Sequence, residues 1–282
     1  MSALRFWKTQ TVGNDFVLLH SEDVEALGLG EKLEALAERL CARRFGIGSD
    51  GLLVLSAEGG ELHMRMFNPD GSEDFCGNGL RCAALHAFRL GWVASEHRIE
   101  HFGRLVNAVV GPDGTARTAI GPAEHDPEEV PLDTGIHPSP MIEEEIFGYV
   151  GTAVNAGSTH FVTFVPELPS DEELLRVGPL IEHADVFPER TSVIFAQEAG
   201  VRRLRIRIWE RGVGETLGCG TGSSAAAAEW MRRHGQAGAV AVENPGGTLV
   251  VEADVVGGSL VTSSKPVETF VGTVRLPVPL AV

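Results

Sequence analysis

Two short stretches constrain this chain more than anything else in it. Phe75-Cys76-Gly77-Asn78-Gly79 runs into Leu80-Arg81-Cys82-Ala83-Ala84-Leu85-His86, and Gly218-Cys219-Gly220-Thr221-Gly222 runs into Ser223-Ser224-Ala225-Ala226-Ala227-Ala228. Both read Cys-Gly-x-Gly followed by a helix-forming, alanine-rich run, so each places one thiol at a helix start. The first turn of a helix leaves backbone N–H groups without intrahelical partners and carries partial positive charge. Such a terminus binds a carboxylate or phosphate and favours the thiolate of a cysteine set on it. Flanking glycines let a ligand approach the main chain. The repetition indicates an internal duplication, with one half-site in each half of the chain. Two such half-sites facing a common cleft would hold one α-carboxylate between them, with a sulfur on each face of the α-carbon. A thiolate would then remove a proton from one face while a thiol returns one to the other. The same residues also fit tight turns with core cysteines, or a Cys76–Cys219 disulfide.

The rest of the chain bounds the setting. Its 282 residues suffice for two domains with ordinary cores. With 23 basic and 39 acidic residues the net charge is −16, and no basic stripe appears, which argues against a nucleic-acid partner. No apolar run approaches a membrane span and the N-terminus lacks a signal-peptide h-region, so the expected location is the cytoplasm, with no membrane partner. Cysteines 41, 76, 82 and 219 show no zinc-ligand spacing, so no metal site is expected, and they fit free thiols in a reducing compartment. Cys41 and Cys82 sit among apolar helical positions and read as packing residues.

Taken in order, the sequence predicts a strand over 4–19 broken at Gly13-Asn14-Asp15, a helix over 31–44 stopping at Gly46, and strands over 52–55 and 61–67. Asn68-Pro69-Asp70-Gly71 is a turn. Strands follow over 98–120, and the Pro- and acid-rich residues 121–140 read as a linker. Beyond it come strand, turn and strand over 149–165, broken at residues 155–160, a helix over 171–183, and strands over 191–197 and 201–210. A helix over 223–234, a hairpin turning at Pro245-Gly246-Gly247, and strands near 259–262 and 267–276 complete the pattern. Many short strands with one central helix per half indicate an α+β arrangement. The loop Phe45–Gly51 is glycine-rich but lacks the Lys-Ser/Thr of a P-loop.

With these motifs placed, the chain resembles the diaminopimelate epimerase family of cofactor-independent amino-acid epimerases and racemases, which serve lysine and peptidoglycan biosynthesis. The resemblance runs nearly end to end. It rests on Gly13-Asn14-Asp15-Phe16, Gly46-Ile47-Gly48-Ser49-Asp50-Gly51, Phe67-Asn68-Pro69-Asp70-Gly71-Ser72, Cys76-Gly77-Asn78-Gly79, Pro188-Glu189-Arg190, the run Glu210 to Thr216, and Cys219-Gly220-Thr221-Gly222. It implies two pseudo-symmetric domains, each a curled, mainly antiparallel sheet around a central helix. The expected division is 1–130 with Cys76, completed by a returning strand in 266–282, and 131–265 with Cys219. The resemblance also implies a homodimer, an amino-acid substrate and no cofactor.

By motif, it implies that Cys76 and Cys219 are the acid/base pair and that His160 lies beside them. Asn14 and Asn68 would hydrogen-bond the substrate. The N–H groups of Gly77 and Gly220, with Asn78 and Thr221, would hold the α-carboxylate, and Glu210 and Arg211 the amino and carboxylate groups. The family usually carries asparagine at two positions that read the distal end of diaminopimelate, where this chain has Ser158 and Ser192. That departure leaves room for a racemase of the same fold acting on another amino acid, such as histidine, or for a non-catalytic amino-acid-binding protein.

Overall fold

The computed structural model describes residues 2–126, 128–137 and 139–276. The chain forms two compact units: the first takes residues up to Thr118 and from Ser263 onward, the second Ala119–Thr262.

In the first unit, β1 (Ser2–Thr11) and β2 (Asn14–His20) make an antiparallel hairpin. Helix α1 (Ser21–Ala26) and α2 (Leu33–Cys41) cross over to β3 (Gly51–Glu58), parallel to β2. Strand β4 (Glu61–Phe67) returns antiparallel to β3, and α3 (Gly77–Arg89) crosses over to β5 (Glu96–His101), parallel to β4. Strands β6 (Arg104–Val110) and β7 (Ala116–Gly121) follow antiparallel.

The second unit repeats this plan. After the short β8 (Glu144–Ile146), β9 (Tyr149–Asn155) and β10 (Thr159–Phe164) form the hairpin. Helix α4 (Asp171–Glu182) crosses to β11 (Ser192–Gly200), parallel to β10, and β12 (Arg203–Glu210) returns antiparallel. A short β13 (Gly214–Glu215) folds back on β12 before α5 (Gly220–His234) crosses to β14 (Val240–Asn244), parallel to β12. Strand β15 (Gly247–Glu252) closes a hairpin with β14. Beyond β16 (Leu260–Ser264), β17 (Val267–Leu276) pairs antiparallel with β1 and so returns the chain to the first unit. Residues 277–282 of the expected returning segment lie outside the described residues.

Alternation along the strands explains the layering. Side chains of successive strand residues point to opposite faces, and in β2 Phe16 and Leu18 join the cluster around α3 whereas Val17 and Leu19 join the one around α2. Leu53 and Leu55 of β3 likewise go to α3, and Leu52 and Val54 to α2. A strand covered on both faces must be apolar throughout, which is why these segments read as continuous hydrophobic runs. Helix α3 is buried from Gly77 to Ala87, and small residues at 83, 84 and 87 let strands close around it. In the second unit Val193 and Phe195 of β11 pack with Leu174, Val177 and Ile181 of α4. The intervening Ile194 meets the start of α5, as Leu53 meets the start of α3. The α+β reading and the duplication are thus visible in the order and direction of the strands.

Three local expectations differ from the structure. Helix α2 ends at Cys41 rather than near 44, because Ala42 turns extended (ψ 112) and the chain folds back over the helix end. The N–H groups of Ile47 and Gly48 donate to the Leu40 carbonyl and that of Ser49 to Cys41, capping the free carbonyls. Gly46 serves this fold-back and not the helix stop: a Cβ there would lie 2.2 Å from the Arg39 carbonyl oxygen. Helix α5 begins at Gly220, three residues earlier than expected. Finally, residues 121–140 belong to the second unit, with Val130 buried in the same cluster as Met141, Phe161 and Leu174.

Candidate active site

Each repeated motif forms the same device. Cys76 is the N-cap of α3 and Cys219 the N-cap of α5, both in extended backbone conformation. Each Sγ accepts a hydrogen bond from the N–H three residues on, Gly79 to Cys76 and Gly222 to Cys219, both at 3.3 Å. An N-cap acceptor normally is a hydroxyl or carboxylate oxygen; here sulfur takes that place, where positive potential and a donated N–H favour thiolate. The second glycine of each Cys-Gly-x-Gly motif is required by packing. A Cβ on Gly79 would lie 3.0 Å from Leu53 Cδ2, and one on Gly222 only 2.6 Å from Ile194 Cδ1. All four cysteines are free thiols. Cys41 and Cys82 are core residues, and burial pushes the Cys82 thiol up to about 12.

In the first unit the structure joins Asp50, Asn14, Asn78 and Arg81 through a chain of polar contacts. Asn14 Nδ2 donates to Asp50 Oδ2 at 3.1 Å, and Asn14 Oδ1 accepts from Asn78 Nδ2 at 3.3 Å. Asn78 Oδ1 accepts in turn from the guanidinium of Arg81, which is fully buried and donates from Nε to Ser264 Oγ at 2.8 Å. Both amides are thereby fixed in orientation. Asp50 and Asp15 share Arg43, and Lys8 binds Asp15. Burial opposes ionisation of Asp15, but its bonds to Lys8, Asp50 and Arg43 keep it below the ordinary value. Burial pushes Asp50 up, and the adjoining Asp15 carboxylate adds to the rise. Asn68 stands apart from this chain: it lies in the turn after β4, where its Nδ2 donates to Ser72 Oγ at 3.0 Å.

In the second unit Ser158, His160, Thr221 and Cys219 form a continuous series. His160 Nε2 and Ser158 Oγ are 3.0 Å apart, Ser158 Oγ and Thr221 Oγ1 3.0 Å, and Thr221 Oγ1 and Cys219 Sγ 3.2 Å. Burial, with a smaller contribution from the Arg211 charge, lowers the His160 imidazole to about 3, so the ring is neutral. Ser192 pairs with His160 across β10 and β11, and its Oγ accepts the Arg211 N–H at 3.0 Å. Arg211 donates to the Glu189 carbonyl at 3.1 Å, and Glu210 accepts from the Thr216 hydroxyl. Gly77 and Gly220 occupy the first helical positions, as the motif requires.

Four residues that support these groups were assigned no role from the sequence. His101 is buried, and its Nδ1 lies 3.0 Å from the Met64 carbonyl while Nε2 accepts the Cys76 N–H at 3.0 Å. That pairing fixes the neutral Nδ1–H tautomer, and burial lowers the ring's affinity for a second proton. Asp50 and Arg81 orient the asparagines as described. Glu182, at the end of α4, accepts from Gly212 N at 2.8 Å, Trp209 Nε1 at 2.7 Å and Arg190 Nη1 at 3.2 Å, so it anchors the segment bearing Glu210 and Arg211. Except for Arg81, three residues from Asn78, their partners lie far away along the chain. Among the described residues, no group of three or more His, Cys, Asp or Glu side chains is placed to hold a metal ion.

Comparison with known proteins agrees with this geometry. The sequence model described as diaminopimelate epimerase matches residues 6–125 and 152–269. A diaminopimelate epimerase from Moorella thermoacetica (strain ATCC 39073 / JCM 9320) is 38% identical over 281 residues, covering 95% of this chain and 98% of that protein. One from Synechococcus sp. (strain JA-3-3Ab) is 39% identical over 264 residues, covering 90% and 92%. The crystal structure of a hydroxyproline epimerase from Agrobacterium vitis superposes with a TM-score of 0.69 at 16% identity, covering 99% of this chain and 94% of that one, a likeness of fold. Duplicated thiol-capped helices, the strand plan around them and these matches together establish that the chain belongs to the diaminopimelate epimerase family.

Proposed function

We propose that this chain is an isomerase that interconverts LL- and meso-diaminopimelate by a two-base thiolate/thiol mechanism needing no pyridoxal phosphate. The observation that supports it most is the pair of half-sites of one build, a cysteine N-cap with Sγ bound by the third-residue N–H, on α3 and again on α5. The substrate assignment is supported by curated relatives 34–39% identical over most of their length. In the proposed reaction, one sulfur takes the α-proton and becomes thiol. The carbanion then takes a proton from the opposite thiol, which becomes thiolate. Atoms and charge balance, and the two sulfurs exchange states with each turnover.

The N–H groups of Gly77 and Gly220, with Asn78 and Thr221, serve as donors to the α-carboxylate. Asn14 and Asn68 bind the substrate, and Glu210 and Arg211 its amino and carboxylate groups. One helix terminus contributes about 0.3–1 kcal/mol, or up to about 2 when partly buried. Since enzymes lower barriers by at least about 8 kcal/mol, two termini are too little alone. Oriented N–H donors in a water-poor cleft must contribute most of the remainder. The protein works in the reducing cytoplasm where its thiols stay free, and it acts as a homodimer. The exposed Val267, Phe270 and Val271 leave uncovered apolar side chains on β17 suited to burial against a second copy.

The substrate assignment is tested by incubating the protein with LL-diaminopimelate and following the meso isomer by chiral chromatography. Conversion is expected, and Cys76→Ala and Cys219→Ala should each abolish it with the circular-dichroism spectrum intact. Inversion of another amino acid, with diaminopimelate untouched, would overturn the assignment.

A further inference from the structure

The two half-sites differ in one respect. At the position after the Cys-Gly pair the first motif has Asn78, whose amide is directed to Asn14 and Arg81. The second has Thr221, whose hydroxyl lies 3.2 Å from Cys219 Sγ and 3.0 Å from Ser158 Oγ. Ser158 in turn lies 3.0 Å from His160 Nε2. This series ends on a ring that is completely buried and whose Nδ1 has no hydrogen-bond partner among the described residues.

The unpartnered nitrogen sets the direction of the first bond, and giving every hydroxyl proton an acceptor within the series sets the rest. A neutral imidazole carries one proton, on Nδ1 or on Nε2. A proton on Nδ1 would leave a buried N–H donor without an acceptor, the rarer and costlier defect. A proton on Nε2 leaves only a bare lone pair there. The Nε2–H then donates to Ser158, the Ser158 hydroxyl donates to Thr221, and the Thr221 hydroxyl donates to Cys219 Sγ. An acceptor at the end of such a series is favoured as an anion, and it also receives the Gly222 N–H. Were Cys219 instead the donor, Thr221 would have to turn its hydroxyl to Ser158, which would then accept from both Thr221 and His160 and leave its own proton with no acceptor in the series.

We propose that Cys219 is the sulfur held as thiolate in the resting protein, through a one-directional series of donors running from His160 by way of Ser158 and Thr221. The proposal rests on the two-thiol reading above and deepens it. It gives Ser158 a positioning role within the protein, at a place where the family usually has asparagine. It also predicts that the first proton abstracted by resting enzyme goes to Cys219 while Cys76 acts as donor.

The test uses iodoacetamide on the full-length protein without substrate at pH 7, with the labelled cysteine identified by peptide mass spectrometry. Thr221→Val should slow Cys219 labelling about tenfold or more, the effect of one lost hydrogen bond to a charged group. Ser158→Ala should slow it about threefold to tenfold, and Thr221→Ser should leave it within about threefold, since the donor is kept. Cys76 labelling should stay within about twofold in each, because α3 is untouched. Cys219 rates within about twofold of wild type in both Thr221→Val and Ser158→Ala would overturn the proposal. Nitrogen-15 NMR of the unaltered protein gives an independent decision: an Nε2–H tautomer of His160 is expected, and Nδ1–H overturns the proposal even if a substitution disturbs both sulfurs. Because neither measurement involves diaminopimelate, failure of turnover with an intact labelling pattern would sink the substrate assignment alone.

Discussion

Replacing His160 by glutamine should flatten the protein's loss of stability in mild acid. Burial holds the folded imidazole at about 3 against an ordinary 6.5. The sign follows from linkage: as pH falls through 6.5 the unfolded chain binds a proton that the folded chain refuses, so stability is lost below 6.5 and unaffected above it. The loss continues until pH reaches the folded value. At pH 5 the unfolded histidine is 1.5 units below its midpoint, and at roughly 1.4 kcal/mol per unit this one residue costs about 2 kcal/mol relative to pH 7. Urea titrations at pH 7 and pH 5, on wild type and His160→Gln, isolate the term because the carboxylates common to both cancel. The variant is expected to lose about 2 kcal/mol less between the two pH values, whatever its stability at pH 7. Parallel losses within about 0.5 kcal/mol would refute the claim that His160 is buried and neutral.

Three further substitutions probe the supports of the half-sites. Gly222→Ala drives a methyl to 2.6 Å from Ile194 Cδ1 and should destabilise by about 1–3 kcal/mol, with Ile194→Val restoring at least half of that in a double-mutant cycle; independent effects would count against this packing. His101→Phe leaves the Cys76 N–H and the Met64 carbonyl without their ring partner, so a stability loss of about 2–4 kcal/mol and a fall in epimerisation rate are expected, read by urea titration and initial rates. Glu182→Gln weakens the anchor of residues 209–212, and KM should rise more than kcat falls if Glu210 and Arg211 bind substrate; unchanged KM would remove Glu182 from a positioning role.

Much of this arrangement can be read in the chain before any coordinates. The two cysteine N-caps follow from Cys-Gly-x-Gly ahead of an alanine-rich run, and most strands from apolar runs bounded by glycine turns. The short α1, β8 and β13 escaped, because segments of two to six residues show no period. The parallel pairings of β4 with β5 and β12 with β14 are likewise absent from periodicity, since a crossover is defined by where the chain returns. The same reason hides His101 and Glu182. Each acts on a motif through a contact set by tertiary packing, as when His101 reaches back 25 positions to the Cys76 N–H. Gly46 shows the opposite failure: a sound local rule made it a helix stop, whereas close passage over the Arg39 carbonyl requires it.

The central claim is that two different sulfurs serve the two faces of one carbon. Its most direct measurement is the isotopic content of product and remaining substrate during the first few per cent of conversion of LL-diaminopimelate in deuterium oxide. The account predicts product carrying deuterium at the inverted α-carbon while unconverted substrate keeps its hydrogen, because the group that donates differs from the group that abstracts. Early product that retains the substrate's own hydrogen would show a single base acting on both faces and would contradict the account.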